Sequence, residues 1–218
     1  MSNMRSKSHS SHSVRRGGKR KKREVAKSIL LVTNGQVTER SYLKKAIDMF
    51  QFGKEIKCIV KFIAGAPQTL FEHVQAMDTS EIEEVWLFFD IDDNSHNLLK
   101  SLLSKSKRSG YKSVVSNPCF EVWLHAHYGL VGLCSRQDDA IRRYEQIAGI
   151  PSNSKDISDN FPFEEWKYAI NNLDLSEAAI LQHTSGRYGN SDVNEIIDSP
   201  STSMGKFLEH LEFLNTQN

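Results

Sequence analysis

The sequence predicts an α/β fold: a largely parallel sheet flanked by helices, with a mainly helical C-terminal part. Three observations predict it. Short β-rich apolar runs and amphipathic helical segments alternate four times, and the connections between them are short. The first run, 28–33, carries the unbroken apolar stretch Ile29–Val32, as in a strand covered on both faces. Beyond Leu130 the strand-like runs give way to helical spacing. The 218 residues, 39% hydrophobic and 25% charged, suffice for one well-cored domain and are too few for two large ones.

Each element has a local reason. After the first strand, Asn34-Gly35 is a turn signal. Thr38 is placed to cap a helix in which Tyr42, Leu43, Ala46, Ile47 and Phe50 recur at helical spacing. A second strand is expected over 56–63, and a helix over 67–77 that puts Leu70, Phe71, Val74 and Met77 on one stripe. A third strand over 84–89 precedes a helix over 98–103, and a short fourth strand covers 113–116. Asn117-Pro118 then reads as an N-cap followed by proline at the first helical position, with the helix running past Trp123 to about His127. Further helices are expected over 137–147, 164–173, 176–182 and 202–214. They either pack on the sheet or form a small lid.

The formal net charge of +1 conceals an asymmetry. Residues 1–24 hold nine Lys/Arg against Glu24, a net +8. The body, 25–218, holds nineteen basic and twenty-six acidic side chains, a net −7. The tail has only Met1, Met4 and Val14 as apolar residues and cannot offset its ordering entropy, so it is expected to be disordered. Its functional reading is contact with nucleic-acid phosphates through Arg15, Arg16, Lys19, Arg20, Lys21, Lys22 and Arg23. A solvated solubility arm is the competing reading.

Some classes are excluded. No apolar run approaches the ~20 residues that cross a bilayer, so no membrane partner is expected. The basic N-terminus leads into no apolar stretch and does not read as a secretory signal. Cys58, Cys119 and Cys134 are an odd number at wide spacings, which fits reduced thiols in a cytoplasmic protein better than a disulfide framework or a four-cysteine zinc site.

Chemistry is expected at the carboxyl ends of the strands, where parallel α/β sheets collect ligands. Three polar clusters fall there: 34–39, 90–93 and 116–121. Asp90 and Asp92 share one side of the extended chain, and two adjacent carboxylates repel unless a cation lies between them. Mg²⁺ or Mn²⁺ suits such hard oxygen ligands, and Glu39 at a neighbouring strand end would complete the set. An Asx-turn or a helix cap is the structural alternative for the aspartates. Glu121 is either a further acid facing the site or a first-turn residue favoured by the helix dipole.

Taken together, Asn34-Gly35-x-x-Thr38-Glu39-x-x-Tyr42, Phe88-Phe89-Asp90-x-Asp92-Asp93, Ser116-Asn117-Pro118-Cys119-Phe120-Glu121-x-Trp123-Leu124 and Pro200-Ser201-Thr202 resemble the RloB family. The resemblance covers about residues 28–214. It implies a Toprim-like fold, a bacterial anti-phage setting of the abortive-infection kind, an AAA-type ATPase partner and metal-dependent nuclease activity. Asp90, Asp92 and Glu39 would hold the metal and Glu121 would assist.

The chain departs from the family's Glu-Gly-Glu-x-Thr-Glu pattern in having Asn34 and Gln36. Asn34 occupies the place of the Toprim catalytic acid, and an amide offers a carbonyl oxygen but neither charge nor a transferable proton. A non-catalytic nucleic-acid-binding or sensor subunit therefore stands as the alternative, with a phosphatase or nucleotidyl enzyme behind it. Homo-oligomerisation is left open.

Overall fold

The protein is described by a computed structural model covering residues 27–53, 55–91, 96–134, 136–152, 154, 157–158, 160–185 and 200–217. The elements in chain order are β1 (Lys27–Thr33), α1 (Thr38–Phe50), β2 (Ile56–Phe62), α2 (Pro67–Gln75), β3 (Glu84–Asp90), α3 (His96–Arg108), β4 (Lys112–Asn117), α4 (Glu121–Ala126) and α5 (Gln137–Ala148). A 3₁₀ turn at Phe163–Glu165 leads into α6 (Trp166–Ser185), then β5 (Ser201–Thr202) and α7 (Met204–Thr216). The sheet order is β2-β1-β3-β4-β5, parallel except for β5. The α/β class and the helical C-terminal part are as the sequence predicts.

Strand alternation builds two cores. Ile29, Leu31, Trp86 and Phe88 face one side with α1 and α4–α7; Leu30, Val32, Val85, Leu87 and Phe89 face the other with α2 and α3. Both faces are covered, which is why β1 and β3 are apolar without a break. The C-terminal helices thus pack on one face of the sheet. Gly205 lets α7 approach α6, since a Cβ there would come within 2.7 Å of Ile170.

Three local readings are corrected. Thr38 is the first residue of α1 and not its cap; Val37 holds that position with no side-chain hydrogen bond. Asn117 ends β4 and joins Pro118 through a cis peptide, and α4 starts only at Glu121 after Phe120. The two helices expected over 164–173 and 176–182 are one helix. Leu175 is exposed, which breaks the apolar stripe while the backbone continues, and the Ser176 hydroxyl donates to the Asn172 carbonyl.

The Pro200-Ser201-Thr202 signature is structural. It pairs antiparallel with Ser116 and Asn117, and the Thr202 and Ser116 hydroxyls lie 3.0 Å apart. At the amino edge of the sheet, Glu84 accepts from Lys27 (2.6 Å), Lys112 (2.9 Å), His210 (2.7 Å) and the Trp86 indole (3.0 Å). Partial burial works against the Glu84 charge, but these donors outweigh it and hold the carboxyl at about 2.

Around Tyr42 the chain builds an aromatic nest of Phe120, Trp123, His127, Phe161 and Phe163. His127 donates through Nδ1 to the Pro162 carbonyl (2.9 Å), so its Nε2 accepts from the Tyr42 hydroxyl (3.1 Å). Burial lowers the His127 pKa from 6.5 to about 4, opposed weakly by the Pro162 bond.

A histidine depressed on folding contributes stability above its unfolded pKa, and that contribution is lost as pH falls. We expect unfolding free energy to drop by about 2 kcal/mol between pH 8 and pH 5 from this group. Glu84, also depressed, adds a further loss below about pH 4.5. Urea titrations against pH check this; a flat profile between pH 8 and 5 would contradict it.

Candidate functional site

The chain reverses direction across the sheet between β1 and β3: β1 connects outward to β2, and β3 connects the other way to β4. A crevice at the carboxyl ends of two such strands is the general ligand site of open α/β sheets. Here it is a cleft of about 270 Å³ lined by Gly35–Glu39, Asp90, Glu121, Gln137, Ile141, Glu145 and Ser154.

Glu39 comes from the first turn of α1, Asp90 from the last residue of β3, and Glu121 from the first residue of α4. Asp90 shares strand parity with Trp86 and Phe88, which places it on the α1 and α4 side of the sheet. Register pairs Asp90 with Ser116, and the Ile91 amide donates to the Ser116 carbonyl at 2.9 Å, so the β3 and β4 ends are held together.

Glu145 is the residue that the sequence does not single out. It lies on α5, is 7% exposed, and adds a fourth carboxylate to the cleft from the helical part. The available signal was its position next to Tyr144 and four residues after Ile141, at the edge of the apolar stripe of α5.

The negative field of this cleft is felt by Cys119. The thiol is fully buried, and burial first, then the charges of Glu121 and Asp90, push its pKa far upward. It is a buried thiol and not a nucleophile. The Tyr144 hydroxyl is also raised, by burial first and then by Tyr128 and Glu121, and it has no hydrogen-bond partner among the described residues.

Other predicted site residues fall elsewhere. The Asn34 side chain donates its amide to the Gly65 carbonyl at 3.3 Å, on the side of the loop before α2. Asp92 and the tail residues Arg15, Arg16, Lys19, Arg20, Lys21, Lys22 and Arg23 lie outside the described residues. His125 and His127 are buried packing residues. Among the described residues, no three His, Cys, Asp or Glu side chains are close enough to form a metal site as they stand.

A mostly parallel, helix-flanked sheet with an acidic cleft at its switch point is an α/β architecture consistent with the Toprim-like expectation. A family model described as RloB-like protein matches residues 29–211, most of the folded body. The chain belongs to the RloB-like family. No curated protein and no solved structure matches it. Among the described residues no helix is long and apolar enough to cross a membrane.

Proposed function

We propose that the cleft is a Mg²⁺- or Mn²⁺-assisted phosphodiester site, and that the protein is a cytoplasmic nuclease of bacterial anti-phage defence working beside an AAA-type ATPase. One observation carries the reading: Glu39, Asp90, Glu121 and Glu145, from four separate elements, line one cleft at the switch point. Four acidic side chains on the lining of one cleft give it a negative character that a bound cation would offset.

The donors are all hard oxygens, which suit these ions and leave room for their retained waters. Glu39, Asp90 and Asp92 would hold the cation. When bound, it would neutralise phosphate charge and lower the pKa of water. Glu121 and Glu145, which line the same cleft, would accept a proton from attacking water, and the exposed Gln36 amide would donate to a phosphate oxygen. The cationic tail would gather substrate by charge alone. A panel of DNA and RNA substrates with each metal, comparing wild type with Glu39→Gln and Asp90→Asn, tests the reading.

The second reading, a binding or sensor subunit without turnover, is favoured by Asn34, whose amide is engaged with Gly65. It predicts nucleic-acid binding with no cleavage under any metal.

Gly35 provides a selective probe. A Cβ there would lie 1.8 Å from the Glu39 carboxyl carbon, yet the glycine is not in the left-handed region that would itself demand glycine. The obstructing group is the end of a flexible side chain, so Gly35→Ala should leave stability within about 0.5 kcal/mol. It should still displace the Glu39 carboxylate and weaken Mn²⁺ binding by roughly tenfold. Melting curves and calorimetry on one preparation check both halves; unchanged affinity would remove Glu39 from the ligand set.

A further inference from the structure

We propose that the exposed face of α3 is a second nucleic-acid contact, binding the phosphate backbone of a strand along the helix. Nucleic acid as the ligand rests on the functional reading above; the metal chemistry does not enter.

Helix α3 buries Leu99, Leu102 and Ser106 against the sheet and turns Lys100, Ser101, Ser104, Lys105, Lys107 and Arg108 to solvent. It contains four cations and no acid. In a body of net −7 that segregation is a local excess, not a reflection of overall composition. Elsewhere Lys27, Lys112, Arg142 and Lys167 sit in ion pairs, whereas the isolated Lys57 and Lys61 of β2 have none among the described residues; what sets α3 apart is the clustering of its cations. Among the described residues none of the four α3 cations has a carboxylate within salt-bridge reach.

Lysine, arginine and serine are among the side chains that contact phosphate oxygens, and the two cations do so by charge. Beside the helix lies a shallow groove of about 400 Å³, where Lys105, Arg108 and Ser109 face Gln68 and Gln75 of α2. Its one acid, Glu72, already accepts from Gln68 at 2.6 Å. From Lys100 to Arg108 the helix rises roughly 12 Å, which matches three or four phosphates of one strand at ~3.4 Å of axis each.

The competing explanation is local. Lys105, Lys107 and Arg108 fall in the last turn, where cations favour the helix dipole. The two accounts separate experimentally. The full chain would be titrated with a fluorescent oligonucleotide duplex in chelator, at several salt concentrations. Wild type is compared with Lys100→Gln/Lys105→Gln/Lys107→Gln/Arg108→Gln and with a control, Lys57→Gln/Lys61→Gln, on the exposed side chains of β2.

Glutamine keeps helix propensity, so the quadruple variant should fold. The log–log salt slope should become shallower by about three, at −0.9 per lost contact, while the control leaves it unchanged. A variant replacing the three lysines by arginine should keep wild-type affinity, which guards against misfolding as the cause. An unchanged slope with a lower melting temperature would mean that the cations serve only the helix, and would overturn the proposal. Equal loss in the control would reduce it to general charge and overturn it too. If wild type itself fails to bind at low salt, the nucleic-acid reading falls with it.

Discussion

Glu39→Gln combined with Asp90→Asn is expected to lower metal-dependent phosphodiester cleavage by at least ~10²-fold, with little change in fold. Glu39 comes from the first turn of α1 and Asp90 from the end of β3, and both line the cleft. Each substitution keeps side-chain shape and removes charge, so the expected loss is electrostatic and not steric. Proton transfer by a positioned acid or base contributes typically ~10²–10⁴-fold, and loss of cation binding adds to it. The melting temperature in chelator should rise slightly, because two mutually repelling charges are gone. Gel-resolved cleavage with Mn²⁺, followed by a melt in chelator, checks both signs. Full activity in the double variant would place the chemistry outside this cleft.

The second large effect is on stability. Trp123→Ala should destabilise the fold by about 3–5 kcal/mol, against a total that for most domains is about 5–15 kcal/mol. Trp123 is fully buried and stands edge-on to Tyr42 (6.3 Å between centroids) and His127 (5.0 Å). It also borders a cavity of about 240 Å³ lined by Ile170, Leu173 and Gly205 between α6 and α7, which truncation would enlarge. For a chain of this size the loss corresponds to a drop of roughly 10 °C in melting temperature. Leu130→Ala, at a residue 60% exposed, should change it little. The consequence reaches the site because α4 carries Glu121 two residues before this anchor.

These two predictions mirror what the sequence makes legible. β1 and β3 are visible because strands covered on both faces are apolar at their centres, while the edge strand β2 shows as an alternating run; Asp90 is visible because it ends β3, and Glu39 and Glu121 because each lies within six residues of a strand end. Phe120, Glu121 and Trp123 belong to one motif yet divide their labour: the aromatics fill the core, and the acid faces the cleft.

What the sequence hides depends on tertiary contact. β5 has two residues, and no periodicity can announce it; it exists because Ser201 and Thr202 meet the end of β4. Glu145 reaches the cleft only because α5 docks against α4, far along the chain from β1 and β3. Asn117 looks like a cap by residue type, but the strand claims it first.

The proposed function of this cleft rests on its holding a divalent cation. Isothermal calorimetry of the full chain with Mn²⁺ tests it most directly, comparing wild type with Glu39→Gln/Asp90→Asn. The account predicts one saturable site in the wild type that the double variant loses. Equal binding by the two proteins, or none by either, would contradict it.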